Sequence, residues 1–312
     1  MRGGVDLWCS IGPNDLHVAA HLFPQSRRGT GEVVHCAGSS EQCSGSVNSE
    51  RILMDVCVVV PAYNEESTIA EVIGKLGRLS CGISEIIVVN DGSTDGTAGV
   101  VAQAACVDPR VRLITLSKNS GKTAAIARGF AEATADVLII QDADLEYDPA
   151  EIPEVLQPIL SEQADVVYGS RFLVRKTARV LYFSHYVANK FLTFISNCLT
   201  NRNMTDVETC YKAFRREVIQ PMRLTSSGFG LEIEMTALIC KTSARTYEVP
   251  ISYYGRTYEE GKKIGLRDGL AALWYLFWFN LVACRYGNGR RYVRQVNNWL
   301  ANERRSSGSA RH

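Results

Sequence analysis

Ile139-Ile140-Gln141-Asp142-Ala143-Asp144-Leu145-Glu146 is the stretch on which the reading of this chain turns. The run from Asp136 to Ile140 predicts a short buried strand that ends abruptly in three carboxylates at alternate positions. Period two along an extended backbone puts Asp142, Asp144 and Glu146 on one side. Acids this close repel one another unless a cation or a hydrogen-bond network balances them. The carboxyl end of a buried strand is also where open α/β sheets hold ligands. Mg²⁺ takes one or two carboxylates plus phosphate oxygens, so a hard divalent ion carrying a diphosphate suits the stretch. Taken alone, the same residues also suit a polar turn capping a helix that starts near Pro149.

The chain on either side favours the ligand site. Asp55-Val56-Cys57-Val58-Val59-Val60 is an apolar run ended by Pro61, as expected of a strand buried on both faces. Asn64-Glu65-Glu66-Ser67 opens a helix whose Ile69, Val72, Ile73 and Leu76 keep helical spacing. A second strand, Glu85 to Val89, ends in Asn90-Asp91-Gly92-Ser93-Thr94-Asp95-Gly96, where glycines permit sharp turning. A third, Val111 to Leu116, leads through Asn119-Ser120-Gly121-Lys122 into an alanine-rich helix. Strand and helix in short alternation predict an α/β fold with a mostly parallel sheet flanked by helices. Gly121-Lys122-Thr123 resembles the end of a phosphate-binding P-loop, but Leu116 stands where its first glycine is required. Gly92 and Gly96 likewise lack the spacing of a dinucleotide fingerprint.

The 312 residues are 46% apolar with a net charge of +1, a globular composition that argues against bulk electrostatic binding of nucleic acid. Ten scattered cysteines form no C-x-x-C pair, which suits reduced thiols in the cytoplasm. Residues 1–53 are Gly- and Ser-rich without sustained period and are expected to be a disordered extension, with Met54 a plausible natural start. No signal-peptide core follows the first basic residue. His17 and His21 have helical metal-pair spacing but no third ligand nearby. One globular domain is expected over 54–265, a helical segment over 266–300, and a disordered tail over 301–312. Arg179 to Thr200 reads as an amphipathic helix with Leu181, His185, Ala188, Leu192 and Ile195 along its packing stripe. Leu270 to Cys284 is the longest apolar tract, short of the roughly twenty residues that span a bilayer. Its aromatics and basic flanks suit either a membrane interface or packing on the core.

Five motifs occur in order: Val60-Pro61-Ala62-Tyr63-Asn64-Glu65-Glu66, Val89-Asn90-Asp91-Gly92-Ser93-Thr94-Asp95, Asp142-Ala143-Asp144, Gly169-Ser170-Arg171, and Glu248-Val249-Pro250 with the basic loop after it. Together they resemble the family-two glycosyltransferases of the GT-A fold, over roughly residues 54 to 270. Within that family the chain looks like the synthases of dolichol-phosphate mannose and related polyprenyl-phosphate sugars. The resemblance implies a nucleotide-sugar donor, GDP-mannose or UDP-glucose, bordered by Pro61, Ala62, Tyr63 and Glu65. It places Asp91 on the base, Val89 against the ring, and Asp142 and Ala143 near the ribose, with Lys122 in the same donor set. Asp144 and Glu146 would ligate Mg²⁺ or Mn²⁺, although relatives often carry glutamine at the position of Glu146. Arg171, Arg175, Arg256 and Lys263 would meet the acceptor phosphate. Phe172-Leu173-Val174-Arg175 lacks the double glycine common in this group, and the C-terminal membrane-spanning pairs of some relatives are missing.

The chemistry agrees with that set. A sugar leaves a nucleoside diphosphate readily only if the departing charge is neutralised. A phosphate monoester acceptor is largely doubly anionic at neutral pH and needs no strong base, only cations that align it. In-line attack then inverts the anomeric carbon. The expected reaction is hexose transfer to a polyprenyl or dolichyl phosphate on the cytosolic face of a membrane, with Asp144 and Arg171 as its catalytic pair. A sugar-hydroxyl acceptor would require a carboxylate base, for which Asp144, Glu146 and Glu208 are the candidates. An inactive scaffold subunit is the reading from another class.

Overall fold

Seven strands form one sheet in the order β3-β2-β1-β4-β6-β5-β7: β1 (Val56–Ala62), β2 (Ile83–Asn90), β3 (Val111–Thr115), β4 (Val137–Ile140), β5 (Val166–Ser170), β6 (Lys212–Arg215) and β7 (Thr246–Pro250). The computed structural model describes residues 54–173, 179–180, 182–228, 230–255 and 266–309. β1 through β4 are mutually parallel, β5 and β7 are parallel to each other, and β6 alone runs antiparallel, between β4 and β5. The carboxyl ends of the six parallel strands therefore share one edge, and the chain entering β6 arrives at that same edge.

The apolar runs behave as their composition requires. Every residue of β4 is buried, as are Val56–Val60 of β1. Helix α1 (Ile69–Gly77) buries Ile69, Val72, Ile73 and Leu76. Helix α3 (Lys122–Glu132) lies so close on β1 that a Cβ at Gly129 would sit 2.3 Å from Val59 Cγ1. Helices α2 (Thr97–Val107) and α4 (Ile152–Leu160) complete the alternation. A 3₁₀ turn, Pro149–Glu151, precedes α4, and Asp148 caps it by accepting from Ala150 N.

Pro61 does not end β1, contrary to the expectation, because its missing donor faces an empty slot. The Val59 carbonyl accepts from Gln141 N on the β4 side, and the Ala62 carbonyl accepts from Asp91 N on the β2 side. Pro61 therefore faces the β4 side. Pairing with β4 stops at Val59, so the proline breaks no ladder bond. The chain leaves β1 toward β2 on one flank and returns through α3 to β4 on the other. That reversal is the switch point at which such sheets open a ligand crevice.

The second half supplies α5 (Phe183–Thr200), the short α6 (Arg216–Ile219), α7 (Gly230–Ile239), α8 (Leu266–Phe277), a π-helical segment (Trp278–Ala283) and α9 (Gly287–Ser309). All ten residues of α7 are buried. Residues 301–309, expected to be disordered, continue α9 instead. Tyr292, Val296 and Leu300 bury one stripe of that helix, and Glu303 pairs with Arg215 Nη2 at 2.5 Å, which carries the helix onward. The expected N-terminal extension and its two histidines lie outside the described residues.

Candidate active site

Where β1 and β4 part, Pro61, Ala62, Tyr63, Glu65, Asp91, Lys122, Ala125, Asp142, Ala143 and Asp144 line a cavity of about 200 Å³. Ligand pockets usually enclose ~300–1,000 Å³, so a cavity of this size has room for only part of such a ligand. Eight of the nine expected donor residues, together with the expected metal ligand Asp144, thus meet in one place. Val89 does not, because it is fully buried inside the sheet and lends support from behind rather than a surface.

Turns interlock beneath the cavity. Asp91 accepts from Ser120 N and Gly121 N, both at 2.7 Å, which fixes the loop leading into α3. Gly92 has φ +68°, and a Cβ there would lie 2.6 Å from the Lys118 carbonyl carbon, so only glycine fits. Glu65 accepts the Thr68 hydroxyl at 2.8 Å, while its own N–H bonds Thr97 Oγ1 at 2.9 Å.

The acidic stretch is a turn, not an extension of β4. Leu145 adopts a left-handed φ of 60°; Asp142 and Asp144 line the same cavity, and the three carboxylates take separate partners. Asp142 Oδ1 pairs with Lys122 Nζ at 2.7 Å, and Lys122 reaches Glu232 of α7 at 3.7 Å. Burial opposes the Lys122 charge, but Asp142 and its neighbours hold the ammonium well above its usual range. Asp144 Oδ1 accepts from Glu146 N at 3.2 Å. Glu146 Oε2 accepts the Tyr253 hydroxyl at 2.7 Å.

Arg171, just past β5, is buried and clamped. Its Nε and Nη2 donate to Asp206 at 2.7 and 2.8 Å, and its backbone N–H donates to the same carboxylate at 3.1 Å. Asp206 is held in turn, because Glu248 of β7 accepts from the backbone N–H groups of Thr205 and Asp206. The guanidinium carbon lies 5.1 Å from the centroid of Tyr253. Tyr253 packs on Tyr147 at 5.3 Å, and Tyr147 on Tyr211 at 5.0 Å. One tyrosine therefore touches both the buried arginine and the acidic turn. Arg175, Arg256 and Lys263 lie outside the described residues.

Asp206, Glu232 and Tyr253 are absent from the sequence reading of the site. Asp206 sits 35 residues from Arg171, a distance no local pattern spans. Its sequence signal is a charge at the entrance to an apolar strand. Glu232 is a carboxylate in a helix buried on every side, a burial that requires a partner.

Glu208 adds a titratable group behind the site. Burial, reinforced by the Glu232 charge, pushes its carboxyl up to about 8 against the counter-pull of Lys212 and Arg171. Between pH ~4.5 and ~8 the folded chain therefore keeps a proton that the unfolded chain releases, and stability falls as pH rises through that window. Melting curves of wild type and Glu208→Gln from pH 5 to 8 test this. The wild-type Tm should fall with pH by on the order of a few degrees more than that of the variant; parallel curves would refute the assignment.

Among the described residues no three His, Cys, Asp or Glu side chains converge as a ligand set. Lys122 already compensates Asp142. Asp144 lines the cavity beside Glu146 on the same turn, which fits a hard cation taking one or two carboxylates and completing its shell with phosphate oxygens.

The sheet with its switch-point cleft is the GT-A glycosyltransferase fold, which solved structures share. Residues 57–222, more than half of the chain, match the family described as Glycosyl transferase family 2, and the chain belongs to that family. It is 29% identical over 237 residues to the undecaprenyl-phosphate mannosyltransferase of Micrococcus luteus, covering 71% of this chain and 96% of that one. The polyprenol monophosphomannose synthase of Mycolicibacterium smegmatis is 30% identical over 215 residues, 67% of this chain and 80% of the relative. Glucosyl-3-phosphoglycerate synthase from Mycobacterium tuberculosis, solved with Mn²⁺, UDP and phosphoglyceric acid, shares the fold. Its TM-score is 0.56 at 20% identity, over 73% of this chain and 79% of that one.

Proposed function

We propose that this glycosyltransferase moves a hexose, mannose or glucose, from a nucleotide diphosphate to a polyprenyl phosphate with inversion at the anomeric carbon. The observation that carries the reading is Tyr253. Its hydroxyl binds the acidic turn and its ring lies against Arg171, so the donor and acceptor sides share one wall. The polyprenyl-phosphate names of the relatives point the same way.

The donor nucleotide lies along Pro61–Tyr63, Asp91 and Asp142, with Lys122 balancing the carboxylates around it. A divalent ion, when bound, supplies the positive charge that lets the diphosphate depart. Asp144 and Glu146 would hold it. Asp206 occupies Nε and Nη2 of Arg171 and leaves the Nη1 edge to meet the acceptor phosphate. Arg175, Arg256 and Lys263 complete the acceptor side in this proposal. A phosphate acceptor arrives already ionised, so the site needs alignment rather than a base. A hydroxyl acceptor would need a carboxylate base, and in this reading Asp144 is assigned to the cation while Glu146 is engaged by Tyr253. The lipid tail of the acceptor puts the enzyme at a membrane surface, on the cytosolic face where nucleotide sugars are available. Among the described residues no helix is long and apolar enough to cross the bilayer.

The test is one assay with purified protein, Mg²⁺ or Mn²⁺, labelled GDP-mannose and UDP-glucose in parallel, and a short polyprenyl phosphate. Label should enter the organic phase from one donor, in a product that mild acid cleaves and mild base does not. Incorporation undiminished by chelator would remove the metal from the reading. Label appearing only in added sugar hydroxyls would replace the acceptor.

A further inference from the structure

Helix α5 is built inside out. It buries Thr193, Ser196 and Thr200, while Phe183, Phe191 and Phe194 are 77, 51 and 61% exposed. Leu192, Ile195 and Leu199, partly buried, pack with α8 residues Ala272 and Leu276, so the two helices lie side by side. The second helix repeats the pattern. Leu270, Trp274, Trp278, Val282 and Tyr286 recur every four residues, and all are exposed. A water-facing helix carries its polar residues outside. Two adjoining helices that do the reverse make an uncovered apolar surface of the kind that marks an interaction site.

Charge identifies what covers it. Residues 179–205 and 269–302 contain seven Lys and Arg and no Asp or Glu, in a chain with 34 basic and 33 acidic residues overall. Arg285, Arg290, Arg291 and Arg294 are exposed and continue directly from the aromatic stripe. A second copy of this chain would set like patch against like patch in a two-fold interface, cation against cation. Tryptophan and tyrosine at the border of an apolar face, with arginine beyond, are the residues that settle at a bilayer boundary and bind anionic headgroups. We propose that the outer faces of α5 and of the α8–π segment together form a docking surface for an anionic lipid bilayer, with the arginines at the start of α9 as its electrostatic collar. The two helices insert their aromatic flanks shallowly and neither spans the membrane.

The inference rests on the transfer reading only for the reason a membrane is approached, so the two can fail separately. Full-length protein is floated with vesicles of phosphatidylcholine alone, and with vesicles containing about 30% phosphatidylglycerol, in the absence of any acceptor. Wild type should bind the anionic vesicles at least ten-fold more tightly, less so at high salt, with a blue-shifted tryptophan emission. Phe191→Ser on α5 and Trp274→Ser on α8 should each weaken binding several-fold. Both should leave the Tm and the transfer to a short, detergent-soluble acceptor unchanged. Arg290→Gln with Arg291→Gln should abolish the preference for anionic lipid. Equal binding to both vesicle types would overturn the proposal, as would loss of binding in Trp274→Ser but not in Phe191→Ser. A concentration-dependent dimer abolished by the same serine variants would assign the surface to a second copy instead. Vesicle binding without transfer would leave this inference standing and remove the catalytic one.

Discussion

Asp206→Ala is expected to destabilise the protein by about 3–5 kcal/mol and to eliminate transfer. Breaking a buried ion pair from one side strands the other charge. Asp206 has no exposed surface, Arg171 has 8%, and three hydrogen bonds join them. Burial works against the guanidinium charge, but Asp206 more than offsets it and holds Arg171 well above its ordinary range. With Asp206 removed that support is lost, yet a guanidinium is basic enough to keep its proton regardless. It must draw in water or swing outward, and in either case it leaves the Tyr253 ring. Thermal and urea unfolding should show the loss as a Tm lower by roughly 10 °C. Stability and function separate in the double variant Arg171→Met with Asp206→Leu. Replacing a buried pair by apolar residues of similar size is often neutral or better for stability. That variant should regain most of the Tm while transfer stays absent. Recovery of transfer along with stability would reduce Arg171 to a packing residue.

The sequence discloses what is local and hides what crosses the sheet. Apolar runs ending in Asn90-Asp91 and Gln141-Asp142 announce the four parallel strands and the edge on which the cavity opens, because each run and its turn are contiguous. The antiparallel β6 lies between β4 and β5, and nothing in Lys212–Arg215 itself encodes those neighbours. The alternate acids invite an extended reading, which fails because Leu145 turns left-handed, and Asp142 pairs with Lys122 while Glu146 pairs with Tyr253. Arg171 reads as a free cation because its partner, Asp206, comes from the segment ahead of β6, 35 residues later. Helix α5 shows the limit of a periodicity argument. Of the predicted stripe Leu192 and Ile195 do pack, whereas Ala188 is exposed and Leu181 lies outside the described residues, and periodicity alone does not reveal that the opposite aromatic face is left without cover among the described residues.

Asp144→Ala is expected to lower kcat by about 10³-fold or more, whereas Glu146→Gln should stay within about ten-fold of wild type. The contrast follows from what each carboxylate does in the turn. Asp144 lines the cavity, and in the proposed reaction it acts through the cation it would hold; losing that cation removes charge stabilisation of the departing diphosphate, which typically costs ~10²–10³ or more in turnover. Glu146 has a second task as acceptor of the Tyr253 hydroxyl at 2.7 Å, and a glutamine oxygen can accept that bond. The wall joining Tyr253 to Arg171 therefore survives the substitution. What Glu146 adds is charge, and its loss should appear as a higher Mg²⁺ or Mn²⁺ requirement rather than a lower limiting rate. Titrating each metal against initial rate in the two variants reads this directly. Saturating metal should restore Glu146→Gln and leave Asp144→Ala inactive. If both variants recovered at high metal, Asp144 would be only one of two interchangeable ligands. If neither recovered and Glu146→Gln also lost its Tm, the turn would be held together by the Glu146–Tyr253 bond, with the carboxylates serving the fold before the reaction.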